Sequence, residues 1–253
     1  MKGKTIPSLH FEVDFQVTTL YLCGYRKNLA IMQPVLLFKD GGDIATEERQ
    51  KAPDEALEII PCDILSPLLF SEVFGNDRLV EVDLGSGSGK FLVEAAEKYP
   101  DRNFLGIERL LGRVRKTRRR AFRLGIQNLR LLRMEMEYAV KYFLPKESIF
   151  RFHLSFPDPW PKRRHQTRRV VDRDFFEALW RALVTDGEVR IKTDHEPYFR
   201  QIVRAAEASR PWQISDWIDE DYPVTDFEKD FLSKDLTIYQ LRAVKRNALP
   251  QKV

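Results

Sequence analysis

The stretch D-L-G-S-G-S-G (83–89) constrains the fold most. It lies between a strand-like apolar segment, LVEVDLG (79–85), and a helix-like segment, GKFLVEAAEKYP (89–100), stopped by Pro100. Glycines at Gly85, Gly87 and Gly89 free the backbone for positive φ and let it pass close to a ligand. The alternation continues beyond this turn. NFLGIE (103–108) reads as a strand. Residues 110–124 read as a basic amphipathic helix ended by Gly125, and 129–134 and 149–156 as strands. Residues 172–184 read as a helix, 187–192 as a strand, 196–208 as a helix, and 236–243 as a last, alternating strand. Strands alternating with helices predict a doubly wound α/β domain with a mostly parallel sheet covered on both faces. In such a sheet the ligand lies beyond the carboxyl ends of the strands.

This pattern occupies 71–247, and 1–70 form an irregular N-terminal extension. Within it, 11–22 alternate like a hairpin or paired strands, 39–43 are turn-rich, and 45–57 are acidic and helical in pattern. Of the 253 residues, 43% are hydrophobic and the net charge is +4, which excludes a disordered chain. No apolar run approaches the roughly 20 residues needed to cross a bilayer. Cys23 and Cys62 are too few for a disulfide framework, and the start MKGKTIPSLHFEVDF lacks an apolar signal region. The chain is therefore expected to be cytoplasmic, with reduced thiols and no membrane.

Charge is segregated along the chain. Between Arg109 and Arg133 stand ten Lys or Arg and no acid. From Lys162 to Arg169 stand five basic residues and His165, again with no acid. Eight acids and two lysines fall between Trp212 and Asp235. Dense positive segments form a footprint for nucleic acid, and a solvated helix face is the alternative.

The glycine turn has the spacing G-x-G-x-G, with Asp83 two residues before the first glycine. The dinucleotide fingerprint is G-x-G-x-x-G. A carboxylate here serves a pyrophosphate poorly and a cationic cofactor well. S-adenosyl-L-methionine carries an ammonium and a sulfonium and no phosphate. A tight turn with structural glycines is the alternative. Glu108, at the end of the next strand, suits ribose hydroxyls, or it pairs with Arg109 or Arg113. Glu135, past the third strand, suits an adenine edge, or it is a helix-start acid. The fourth strand ends in F-P-D-P-W-P-K (156–162), where three prolines stiffen a non-helical loop. That loop holds Asp158 on the same sheet edge. Trp160 either stacks on a base or wedges the loop. Arg163, Arg164, His165, Arg168 and Arg169 follow as phosphate candidates.

These pieces resemble the bacterial tRNA (guanine-N7-)-methyltransferases. The matching motifs are F-G-N (74–76), D-L-G-S-G-S-G (83–89), F-L-G-I-E (104–108), N-L-R-L (128–131), F-P-D-P-W-P-K-R-R-H (156–165), R-R (168–169), T-D (193–194) and T-D-F-E (225–228). They come in order and span about two thirds of the chain. The resemblance implies a class I S-adenosyl-L-methionine-dependent methyltransferase fold. It implies that Asp83, Glu108, Glu135 and Asp158 contact the cofactor with the glycine turn, and that Asp158 is also the catalytic position. It places Lys162, Asp194, Thr225, Asp226, Phe227 and Glu228 against the guanine-bearing substrate. The implied partner is tRNA, methylated at a guanine of the variable region (position forty-six), by a monomer or homodimer. Three departures stand out. Asp83 and Glu135 exchange the family's usual Glu and Asp. Thr167 replaces a usual basic residue. Asp235 stands where glycine is frequent.

Guanine N7 has a free lone pair, no proton to remove, and an exposed position in nucleic acids. Methylating it requires placement more than a base. A fixed carboxylate such as Asp158 favours the positive charge that develops on the ring. Asp194 and Glu228 are expected to complete the guanine pocket. Thr193 and Thr225 also read as strand-end or N-cap residues. His10, His153 and His195 form no catalytic or metal pattern, and the two cysteines lack zinc spacing, so no metal is expected. A small-molecule methyltransferase would have no use for Arg163, Arg164, Arg168 and Arg169. A binding module without catalysis would have no use for the acids. A nicotinamide dehydrogenase would need different glycine spacing.

Overall fold

A computed structural model describes the backbone of residues 21–26, 29–34 and 53, and the chain with its side chains over 54–61, 63–218 and 222–246. The chain divides into two compact units, 1–47 and 48–253. In the first unit, β1 (Tyr21–Arg26) pairs antiparallel with β2 (Leu29–Pro34). The expected pairing over 11–22 falls mostly outside the described residues, as do the turn at 39–43 and most of 45–57. Only Pro53–Leu57 of that last stretch is described, and it forms a 3-10 turn.

The second unit begins with that turn, the two-residue strand β3 (Glu58–Ile59) and the short helix α1 (Phe70–Phe74). Next come β4 (Val80–Leu84), α2 (Lys90–Lys98), β5 (Asn103–Ile107), α3 (Leu111–Arg123) and β6 (Leu129–Leu132). Then α4 (Met136–Tyr138) runs on as a π-helical turn, Ala139–Phe143. The second half holds β7 (Ile149–Ser155), α5 (Arg173–Ala182), β8 (Leu183–Thr193), α6 (Glu196–Glu207), β9 (Gln213–Ser215), α7 (Asp226–Ser233) and β10 (Tyr239–Val244). The sheet order is β3-β6-β5-β4-β7-β8-β10-β9. Its first six strands are parallel, and β10 runs antiparallel to both β8 and β9. The winding reverses between β4 and β7, which opens the crevice where ligands of this architecture lie.

The expected helix over 172–184 ends at Ala182, and Leu183 and Val184 open β8 instead. The reason is tertiary. Leu183 pairs with Ile149 across an irregularity in β7, so the chain enters the sheet early. No described helix is long and apolar enough to cross a membrane.

The two faces of the sheet differ. Alternation in β4, β7 and β8 sends Val80, Val82, Leu84, Phe152, Leu154, Val189 and Ile191 to one face, in one cluster with Phe175, Phe176, Leu179, Tyr198 and Ile202 of α5 and α6. The opposite face of the same strands carries buried Glu81, Asp83, Arg151, His153, Glu188 and Arg190. Buried charges persist only when paired. Here the Glu81 carboxylate accepts from Arg102 Nη1 at 2.7 Å and from the Tyr222 hydroxyl at 2.8 Å, and it lies 2.8 Å from His153 Nε2. Glu188 accepts from Arg151 Nε at 2.5 Å, from Arg190 Nε at 2.7 Å and from Arg242 Nε at 2.6 Å. The Tyr222 hydroxyl accepts in turn from Arg102 at 2.6 Å and Arg151 at 2.5 Å, which pins the segment leading into α7 to the sheet.

Candidate active site

The glycine turn closes β4 onto α2. Gly85, Gly87 and Gly89 have φ of 72°, 56° and 69°. The Gly85 and Ser86 amides donate to the Ile107 carbonyl at 2.9 and 3.1 Å, tying the turn to the end of β5. A Cβ on Gly89 would lie 2.1 Å from Thr117 Oγ1 on α3. A Cβ on Gly87 would meet only the Gly85 carbonyl, at 3.8 Å, so the backbone there faces open space. Glycine is therefore required at Gly89 by packing and at Gly87 by conformation and approach.

Asp83 is buried at the end of β4, with no hydrogen bond to its side chain among the described residues. Burial, with the Glu108 carboxylate nearby, pushes its pKa up to about 7. Glu108 is also buried. Its carboxylate accepts from the Gly87 amide at 3.0 Å and the Leu110 amide at 2.9 Å, with Arg113 Nη1 at 3.6 Å. Ser86 Oγ is buried in the same turn without a hydrogen-bond partner. A buried acid lacking a cation, an orphaned hydroxyl and an open backbone cradle together fit S-adenosyl-L-methionine, whose ammonium needs a carboxylate. Glu135 is different. It is exposed at the start of α4, caps nothing with its side chain, and lies 3.5 Å from Arg109 Nη1.

The loop after β7 is held in a strained shape. Phe156 and Trp160 adopt φ of 54° and 41°, which costs energy for bulky residues. The Phe156 amide donates to the Lys192 carbonyl at 2.8 Å. Arg169 is buried, donates from Nε to the Pro159 carbonyl at 2.7 Å and from Nη1 to Gln201 at 2.6 Å, and lies over the Tyr198 ring. Arg169 thus clamps the loop from inside and does not face solvent as a phosphate ligand would. Asp158 is left exposed at the loop's crest. Lys162 is exposed, and the 3-10 turn Arg163–Arg168 presents Arg163, Arg164 and Arg168 outward. Trp160 packs between His165, at 5.9 Å, and the Arg168 guanidinium, at 5.1 Å, so it wedges the turn.

The start of α7 joins both regions. Thr225 is its N-cap in a complete capping box with Glu228. Asp226 accepts from Ser88 Oγ at 3.1 Å and pairs with Lys90 at 2.9 Å, linking α7 to the glycine turn. Hydrogen bonding to Lys90 lowers its pKa. Glu228 is buried and pairs with Lys192 of β8 at 2.5 Å. Phe227 is 63% exposed, its ring 6.2 Å from that of Phe156. Asp194 is exposed beyond β8, while buried Thr193 accepts from the His195 amide. Between His153, Lys192, Trp217, Tyr222 and Glu228 lies a cavity of about 20 Å³, room for a water molecule and not for a purine. Among the described residues no cluster of His, Cys, Asp and Glu is arranged to hold a metal.

Sequence reasoning missed Ser88, Lys90, Lys192 and Tyr222. Lys90, next to the glycine turn, and the alternating R-I-K of β8 were visible signals. Tyr222 had none.

Residues 77–241 match a family model described as "Putative methyltransferase". A Geobacillus kaustophilus protein named tRNA (guanine-N(7)-)-methyltransferase is 33% identical over 180 residues, which cover 69% of this chain and 82% of the relative. A Streptococcus suis protein of the same name is 30% identical, covering 69% and 84%. A Thermotoga maritima protein of that name is 34% identical over 143 residues, covering 56% of this chain and 46% of the relative. The solved 16S rRNA methyltransferase KamB superposes with a TM-score of 0.54 at 14% identity, over 70% of this chain and 93% of that one, and this likeness bears on the fold alone. Sheet order, glycine turn, strand-end acids and these matches together make the chain a member of the tRNA (guanine-N(7)-)-methyltransferase family of S-adenosyl-L-methionine-dependent enzymes.

Proposed function

We propose that this enzyme methylates N7 of a guanine in the variable region of tRNA, at position forty-six as the resemblance implies. One observation supports the reading: exposed Asp158 stands on a strained, clamped loop that follows β7, the parallel neighbour of β4 with its buried Asp83, and it directly precedes the exposed basic turn at 162–168. Asp83, Gly85, Gly87, Gly89, Glu108, Glu135 and Asp158 would hold S-adenosyl-L-methionine. When bound, it supplies the methyl group. The chain's own task is to present guanine N7 and to stabilise the cationic ring that results. Asp158 is fixed before the reaction, so its charge favours the transition state more than the neutral purine. Lys162, Asp194, Thr225, Asp226, Phe227 and Glu228 are the base-pocket candidates, with Phe227 offering an exposed ring for stacking. The base must be presented from a folded RNA, so a local opening accompanies binding. Incubation with labelled S-adenosyl-L-methionine and bulk tRNA, followed by nucleoside analysis, should yield 7-methylguanosine. Any other labelled nucleoside would refute the assignment.

A pH dependence follows from Asp83. With a pKa near 7, it is protonated at pH 6 and cannot pair with an ammonium. Cofactor affinity should rise with pH up to about 7, by as much as tenfold per unit, and then level off. Asp83→Asn should flatten this profile. Calorimetric titration from pH 5.5 to 8.5 checks it, and a flat wild-type profile would remove Asp83 from the cofactor site.

A further inference from the structure

We infer that the exposed basic stripe of α3 is a second RNA-docking surface, separate from the basic turn at 162–168. This inference rests on the tRNA reading above. Seven of the 13 residues of α3 are Lys or Arg, and none is acidic. Three of the seven have local partners. Arg118 is held by Asp54 at 2.7 Å and Glu58 at 2.9 Å, Arg120 by Glu94 at 3.2 Å, and Arg113 lies 3.6 Å from Glu108. Arg115, Lys116, Arg119 and Arg123 are exposed, with no ion-pair partner among the described residues. Arg115, Arg119 and Arg123 follow each other at every fourth position, so they form one line along the helix, with Lys116 beside it.

The fold does not explain this line. The inward face of α3 is made by Val114, Thr117, Arg118 and Ala121. Like charges four residues apart destabilise a helix, and α3 has no acid of its own to offset them. A polyanion would compensate. Placement favours RNA as that partner. The helix starts at Leu111, just after Glu108 on the crevice edge, and the stripe runs about 12 Å away from it (eight residues at 1.5 Å each). The turn at 162–168 follows β7, which lies two strand spacings from β5, the strand that leads into α3, about 10 Å across the same edge. Two basic surfaces set this far apart suit an extended phosphate backbone, with the target base between them. A mononucleotide could not touch both.

The test is the variant R115A/K116A/R119A/R123A. All four positions are exposed and alanine favours helix, so circular dichroism and melting temperature should match the wild type. Dissociation constants for full-length tRNA would be measured over a salt series, with KM, kcat and cofactor affinity alongside. The expected result is a KM and dissociation constant raised about tenfold or more at moderate salt, with kcat and cofactor affinity retained. The log–log salt slope should flatten by up to four contacts' worth, roughly 0.7–0.9 each. The R163A/R164A variant should flatten the slope by about two contacts' worth, and the two sets of losses should add, since separate surfaces share no contact. Unchanged affinity and slope in the quadruple variant, while the wild type methylates tRNA, would overturn the inference and leave α3 a solvated face. A wild type that neither binds nor methylates tRNA would overturn the tRNA reading and this inference together, and is recognisable because it needs no variant.

Discussion

Asp158→Asn is expected to lower methyl transfer to tRNA by about 10²–10³-fold, the usual loss when one preorganised electrostatic group is removed. The substitution keeps the shape and deletes the charge. The fold should survive, because Asp158 is exposed and makes no hydrogen bond among the described residues. The loop's shape depends on other contacts, namely the Phe156 amide on the Lys192 carbonyl and Arg169 on the Pro159 carbonyl. Single-turnover methylation at saturating cofactor separates chemistry from binding. A variant with near-normal turnover would remove Asp158 from the catalytic role.

The second large effect concerns stability. Glu81→Ala should destabilise the enzyme by about 3–5 kcal/mol, because it strips the central anion from Arg102, His153 and Tyr222 in a buried network. Burial alone would raise the pKa of Glu81. The interaction with His153, the charge of Arg151 and the hydrogen bond from Arg102 outweigh it and bring it down to about 2, from an ordinary 4.5. His153 itself is held below its ordinary value by burial, so it stays neutral at pH 7 and donates to Glu81. A depressed carboxylate stabilises the fold above its unfolded pKa. Roughly 3 kcal/mol should therefore be present above pH 4.5 and lost as the pH falls toward 2. Denaturant titrations at pH 7, 4.5 and 3 would show it. A loss under about 1 kcal/mol for Glu81→Ala at pH 7 would mean that the network is held together without its centre.

Much of the fold was legible because its signal is local. The run V-E-V-D-L before three alternating glycines could hardly be anything but a strand entering a tight turn, and β4, β5 and α3 lie within a residue or two of where the pattern put them. The edge strand β3 was invisible, since two residues carry no period. The start of β8 was misread because Leu183 and Val184 suit a helix end as well as a strand, and only pairing with β7 decides between them. The site divides the same way. Arg168 and Arg169 are equivalent in sequence, yet one faces solvent and the other is buried on Pro159, a difference set by how the 3-10 turn sits on α6. Asp226 meets Ser88 and Lys90 across more than 130 residues, beyond any spacing rule. Asp235 stands where the family favours glycine, and it adopts φ of 54°, which explains that preference. Aspartate tolerates this region better than most side chains.

The target atom is tested most directly with a tRNA transcript in which 7-deazaguanine replaces guanine. The analogue keeps the Watson–Crick edge and the shape of the base, with carbon in place of N7. The account predicts that this transcript binds with an affinity close to that of the unmodified one and accepts no methyl group, while the unmodified transcript is methylated in parallel. Methylation of the fully substituted transcript would contradict the account, because the acceptor would then be another atom and the charge-stabilising role given to Asp158 would lose its basis.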